Sequence, residues 1–221
     1  MGMSTPPKIE KITIQSDTAR ITLSTNRQSY LIESTLAEQW GLKQGVVLTN
    51  SQVQAIETEA ARLACRRQAA NYLASRDYSE KELAVRLRKK GHQKEHIDEI
   101  IAIFRNQGIL DDARVATNLA RGLLRRKPCW RGYMLSHLQT KGIDRATAEM
   151  ATESALTGHD ETELACRALR SRLREYSQIG LETAQRKAYN YLSRRGFGYQ
   201  AAREAWEILS APSDKNEDAD H

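Results

Sequence analysis

The sequence predicts a mainly α protein, built as three tandem three-helix repeats in an elongated, curved array behind a small β-containing N-terminal cap. Three observations carry that prediction. The first is a pattern that returns three times: VRLRKKGHQKEHIDEII at 85–101, SHLQTKGIDRATAEMAT at 136–152 and NYLSRRGFGYQAAREAW at 190–206. Each copy has a leucine (Leu87, Leu138, Leu192), a glycine four residues later (Gly91, Gly142, Gly196) and a basic residue directly before that glycine (Lys90, Lys141, Arg195). The glycines lie 51 and then 54 residues apart, room for three helices and their turns. A period of this length marks an array whose units bury faces that one unit could not bury alone. The second observation is composition: aromatics make up only 6% while Ala, Arg and Leu are abundant, which suits packed helices. The third is that strict apolar–polar alternation is confined to the first part of the chain.

In order, residues 1–7 contain Pro6 and Pro7 and are expected to be disordered. KIEKITIQ (8–15), ARITL (19–23) and SYLI (29–32) read as short antiparallel strands joined at Asp17 and Asn26. Leu36 and Trp40 share a face of a short helix ended by Gly41, so residues 1–52 form a compact cap. From 51 to about 75 the pattern is helical, with Val53, Ile56, Ala60, Leu63, Ala64, Ala70 and Leu73 on one face and Arg62, Arg66 and Arg67 on the other. At the next helix, Ser79 and Glu82 have the spacing of a capping box, Leu83 and Leu87 form its apolar stripe, and Gly91 ends it. Ile97, Ile100, Ile101 and Phe104 mark the third helix, which Gly108 stops. Asp111 or Asp112 then caps a helix that Pro128 breaks, a second begins near Arg131, and Asp144 caps a third. The last repeat opens near Asp160, with helices at about 181–195 and 199–210. The predicted modules are therefore 53–110, 111–158 and 159–210, followed by an acidic, disordered tail at 211–221.

The net charge of +6 is unevenly spread. Segments 1–61, 62–112, 113–158, 159–210 and 211–221 carry −1, +3, +5, +2 and −3, so an anionic partner should meet the middle of the chain. No apolar run approaches the ~20 residues of a membrane span, and the N-terminus lacks the apolar core of a secretory signal. Cys65, Cys129 and Cys166 are odd in number and far apart, which predicts reduced thiols in a cytoplasmic protein.

Catalytic chemistry is not expected. The sequence has no GxxxxGK[ST] or GxGxxG phosphate cradle and no GxSxG turn. His92 and His96 straddle the end of one helix and the start of another, so they are expected on the solvated surface, with no metal and no cofactor. Asp111 and Asp112 read as capping acids, and His137 as a packing or surface residue. Cys129 follows a basic triplet that could lower its pKa, but no base is placed beside it.

The informative residues are basic: Arg86, Arg88, Lys89 and Lys90; Arg125, Arg126, Lys127 and Arg131; Lys141; Arg194 and Arg195. Recurring before the terminal glycine of each repeat, they suit a long polyanion or a nucleoprotein filament. Trp130 and Tyr133 are candidates for base stacking or for the core.

Four pieces in order, SEKELAVRLRKKG (79–91), GILDDARVA (108–116), LQTKGID (138–144) and YLSRRGF (191–197), resemble the RecX family over about residues 62–210. Two departures stand out: Val115 replaces an aromatic common after the DD-x-R junction, and RKPCWRG replaces a Gly-Pro turn, leaving the path of 126–133 open. The resemblance implies tandem three-helix modules and a monomeric cytoplasmic regulator without catalysis. It implies binding along the groove of the RecA–single-stranded DNA filament, contact with single-stranded and duplex DNA, and lowered strand exchange, ATP hydrolysis and repressor co-cleavage. A second reading from the residues is a general nucleic-acid-binding helical or helix-turn-helix protein. It would predict a symmetric dimer and basic residues gathered on one recognition helix.

Overall fold

A computed structural model describes residues 6–25 and 27–211. The expected turn at Asn26 and all but the first residue of the expected acidic tail therefore lie outside the described residues, as do residues 1–5. The fold is mainly α, with a small three-stranded antiparallel sheet at the N-terminus.

The chain divides into two compact units. The first takes the described chain up to Tyr78 together with Glu82–Leu110, and the second takes Ser79–Lys81 together with Asp111 onward.

In the first unit, β1 (Ile9–Gln15), β2 (Thr18–Leu23) and β3 (Ser29–Glu33) pair in that order. Alternation sends Ala19, Ile21 and Leu23 of β2 to one face, where they meet Ile9, Ile32, Leu48 and Ile56 in a buried cluster. Pro7 departs from the expected disorder, because its carbonyl accepts the Leu48 N–H at 2.7 Å and ties the entry of β1 to the end of the cap. Helix α1 (Ser34–Gln39) is short, and α2 (Asn50–Leu73) starts at a capping box between Thr49 and Gln52.

The predicted stripe of α2 is corrected in its C-terminal half. Ala64 and Ala70 are exposed, while Cys65 and Ala69 are buried. Two cores cause the shift: Ile56 packs on the sheet, whereas Cys65 and Ala69 pack with Leu83, Leu87, Ile97, Ile100 and Phe104 of α3 (Glu80–Lys89) and α4 (Lys94–Asn106). One helix serving two partners cannot keep a single apolar face. Arg62 and Arg66 on its other side are engaged by acids: Arg62 pairs with Glu59 at 2.7 Å and Glu99 at 3.6 Å, and Arg66 with Glu33 at 2.9 Å.

The second unit contains α5 (Asp112–Arg126), α6 (Arg131–Thr140), α7 (Arg145–Leu156), α8 (Glu161–Tyr176), α9 (Leu181–Arg194) and α10 (Tyr199–Ser210). These six share one continuous apolar cluster, including Leu124, Met134, Leu138, Ala151, Leu164, Leu169, Leu192 and Trp206. Asp111, Asp144 and Asp160 each accept a backbone N–H three residues on, at 2.8–3.0 Å, and so cap α5, α7 and α8. Asp112 has a further role, since its carboxylate takes the Glu80 N–H at 2.9 Å, an orphan donor at the start of α3. The Ser79 hydroxyl donates to the Lys141 carbonyl, and the Glu82 carboxylate receives Arg76 at 2.5 Å.

The repeated Leu-x-x-x-Gly signature has a physical cause in the helix ends. Ile143 N–H donates to Leu138 O at 3.2 Å and Gly142 N–H to Gln139 O at 2.9 Å. Phe197 with Leu192 and Gly196 with Ser193 repeat these bonds at 3.1 and 2.9 Å. This is the Schellman arrangement, which needs a left-handed residue at the glycine and seats an apolar pair across the cap. Gly142 and Gly196 have φ of +89° and +83°, and the pairs Leu138–Ile143 and Leu192–Phe197 are buried. Lys141 and Arg195 are therefore cap residues, placed where the helix dipole favours a cation.

Candidate nucleic-acid interface

Helix α5 buries Val115, Ala116, Ala120 and Leu124, so the residues that complete its last turn, Arg125 and Arg126, point outward with Lys127 as its cap. On α8, burial of Leu164, Ala165, Ala168 and Leu169 leaves Arg167 half-buried and Arg170 and Arg172 exposed. On α9, burial of Ala184, Ala188 and Leu192 sets the half-buried Tyr191 ring and Arg195 toward the same place. Together these residues line a concave cavity of about 620 Å³ whose lining holds seven cationic side chains and no carboxylate residue.

Several of the seven are fixed in place. The Arg195 guanidinium donates to the Pro128 carbonyl at 2.8 Å and to the Lys127 carbonyl, and it lies 4.7 Å from the Tyr133 ring centroid. The Arg195 carbonyl in turn accepts the Trp130 N–H at 3.0 Å. Side chain and backbone of one residue thus fasten 127–130, the connection whose path the sequence left open. Arg167 donates to the Leu124 carbonyl at 3.3 Å. Arg172 sits 5.5 Å from the Tyr191 ring centroid and pairs with Glu175 at 3.0 Å, a hydrogen bond that raises its pKa. Among the described residues, no carboxylate pairs with Arg125, Arg126, Lys127 or Arg170. Their charge is available to an incoming anion.

Of the basic residues singled out from the sequence, the cavity brings together Arg125, Arg126, Lys127 and Arg195. Arg131 lies apart from it and bridges to Glu153, Lys141 caps α6, and Arg194 is exposed in the last turn of α9. Arg86, Arg88, Lys89 and Lys90 belong to the first unit. There Arg86 is held 3.9 Å from Glu82 and 5.1 Å from the Tyr78 ring centroid, and the other three are exposed at the end of α3. Sequence reasoning missed Arg167, Arg170 and Arg172. The signal was present in RALRSRL, where Arg167 and Arg170 stand three apart opposite an apolar stripe.

Two other expectations change, and a third is decided between its two alternatives. His96 is buried at 8% exposure on α4, and His92 is half-buried with its pKa lowered by desolvation and by His96, so neither is a fully solvated residue. The Cys129 thiol is buried and pushed up to about 11 by desolvation, which Arg195 only partly opposes, so the basic triplet does not activate it. Trp130 and Tyr133 are half-buried and pack against the apolar core, with the Tyr133 ring stacked on His137 at 6.1 Å. Among the described residues no group of three His, Cys, Asp or Glu side chains is placed to hold a metal. No helix among them is long and apolar enough to cross a membrane.

The family model for the first three-helix domain of RecX matches residues 65–102. The regulatory protein RecX of Pelodictyon phaeoclathratiforme is 31% identical over 140 residues, 63% of this chain and 85% of the relative. The chain belongs to the RecX family. The regulatory protein RecX of Chromohalobacter salexigens is 35% identical over 143 residues, covering 61% of this chain and 88% of its own. A crystal structure of regulatory protein RecX superposes with a TM-score of 0.68 at 22% identity, covering 92% of this chain and 98% of that one. The structure of RecX from Lactobacillus salivarius gives 0.55 at 22%, over 68% and 97%. These two likenesses establish a shared fold.

Proposed function

We propose that this chain is a non-enzymatic, cytoplasmic regulator that binds RecA–single-stranded DNA filaments and lowers RecA's recombinase, ATPase and co-protease activities. Membership of the RecX family supports the regulatory role, and one observation supports the mode of action: the arginine-lined cavity of the second unit, which collects cations from three helices around a concave surface. Such a surface suits an anionic filament and confers a steep dependence on salt. The same reading takes α2–α4, α5–α7 and α8–α10 as three modules, 53–110, 111–158 and 159–210, acting as a monomer with Arg86, Arg88, Lys89, Lys90, Arg131, Lys141 and Arg194 as further contacts. The matching leucine–glycine caps support that division.

The test is charge reversal at Arg125, Arg126 and Lys127 together. These side chains are exposed, so helix content by circular dichroism should be unchanged while inhibition of RecA's DNA-dependent ATP hydrolysis is lost. Equal inhibition by the triple variant removes the cavity from the mechanism. Sequence-selective duplex binding without any effect on RecA would favour the general nucleic-acid-binding reading instead.

A further inference from the structure

We propose that the cavity between α5, α8 and α9 is a seat for consecutive phosphodiesters of a single nucleic-acid strand, with Arg170 of α8 and Arg125 of α5 as opposing contacts and Tyr191 as its aromatic wall. This rests on the DNA-contacting part of the function above and assigns it to a site. Four features favour this ligand. The concavity's volume, about 620 Å³, falls within the roughly 300–1,000 Å³ typical of ligand pockets, so nucleotide units have room to settle into it. Its lining is cationic with no opposing carboxylate residue, and six of the seven cations are arginines, whose planar forks match phosphate oxygens two at a time. The floor is rigid: Arg195 is tied to the 127–128 carbonyls and Arg167 to Leu124, so the cradle needs little ordering on binding. Finally, a half-buried tyrosine stands among the arginines, where a base face can rest against it or against the Arg172 guanidinium beside it.

Concavity selects the strand type. Duplex phosphates ride on the outside of a stiff rod with a persistence length of about 150 base pairs, so a duplex meets only the rim. A single strand bends inward and can place successive phosphates between α5 and α8.

The four cations without an acidic partner set the expected salt dependence. At about 0.7 log units per phosphate for single strands, their engagement gives a slope near −2.8 in log K against log salt. That corresponds to roughly a 50-fold loss of affinity between about 0.05 M and 0.2 M salt.

The experiment measures anisotropy of a short fluorescein-labelled oligo-dT over a salt series with the full chain. A double variant, Arg125→Gln with Arg170→Gln, is compared with a control of equal charge loss, Arg145→Gln with Arg203→Gln on α7 and α10. The expected result is a slope cut to about −1.4 and affinity reduced about 25-fold at 0.1 M salt in the cavity variant, with the control near the parent. Tripolyphosphate should compete with the oligonucleotide for the parent chain, and the matching duplex should bind more weakly. Equal losses in both variants, or tighter duplex binding, overturn the assignment. So does unchanged oligo-dT binding, and if RecA inhibition is then lost as well, the cavity contacts filament protein and the regulatory reading stands without this site. Conversely, the expected oligonucleotide result with full RecA inhibition retained supports the seat and detaches it from regulation.

Discussion

Gly196 is the residue at which the repeat signature and the candidate interface meet, and Gly196→Ala separates two costs. The first is backbone: at φ +83° an alanine pays the left-handed penalty, roughly 1–2 kcal/mol. The second is steric. An alanine Cβ would stand 2.8 Å from the Tyr133 backbone nitrogen, 3.1 Å from its Cβ and 3.3 Å from the Trp130 carbonyl. Backbone cannot swing aside as a long side chain can, so overpacking adds about 1–3 kcal/mol. The total is about 2–5 kcal/mol. Gly158 is the internal control, in the same unit with φ +77° and nothing within 4 Å of an added Cβ, so Gly158→Ala should cost only the backbone term. Urea unfolding followed by tryptophan fluorescence measures both. A Trp40→Phe background leaves Trp130 and Trp206, both in the second unit, as reporters. Because the displaced segment carries the 127–130 connection, Gly196→Ala should also weaken oligo-dT binding, whereas Gly158→Ala should not. Equal destabilisation by the two substitutions would refute the close-packing argument and leave only backbone geometry behind the recurring spacing of leucine and glycine.

Two further predictions concern buried polar groups. Thr152 on α7 is fully buried and, among the described residues, its hydroxyl has no hydrogen-bond partner, so Thr152→Val should stabilise the chain by about 1–3 kcal/mol in the same urea assay; a loss of stability would show that the hydroxyl is satisfied in solution. Cys129, raised to about 11 by burial, should resist iodoacetamide at neutral pH in the native chain and react promptly once unfolded, as followed by mass spectrometry. Because its folded pKa lies above that of the free thiol, about 8.5, its contribution to stability is complete below that value. It is lost as pH rises toward 11, and Cys129→Ala should make the fall in unfolding free energy over this window shallower.

Where local pattern decides the structure, the sequence was informative. Alternation in 8–32 located all three strands within a residue or two, and Asp111, Asp144 and Asp160 cap the helices they were expected to open. The leucine–glycine spacing is a local backbone device, so it could be recognised without knowing what surrounds it. What could not be read depends on which elements meet. The stripe of α2 turns at Cys65 because two different cores claim it, and no single helical period encodes that. Asp112 looked like an ordinary first-turn acid, yet its carboxylate holds an N–H of α3. The candidate interface was half legible for the same reason. The triplet 125–127 is contiguous and stands out, but Arg167, Arg170 and Arg172 gain meaning only when α8 packs beside α5. Cys129 went the other way: its charged sequence neighbours suggested activation, while its spatial neighbours bury it.

Whether the RecA filament is the target, as proposed, is decided by the rate of ATP hydrolysis by RecA on single-stranded DNA with this chain added at substoichiometric amounts. Binding of the chain to the same DNA alone is measured in the same salt. Filament targeting requires loss of hydrolysis well below the concentration that covers the DNA. Hydrolysis that falls only as the free DNA becomes saturated, or does not fall at all, would rule filament targeting out.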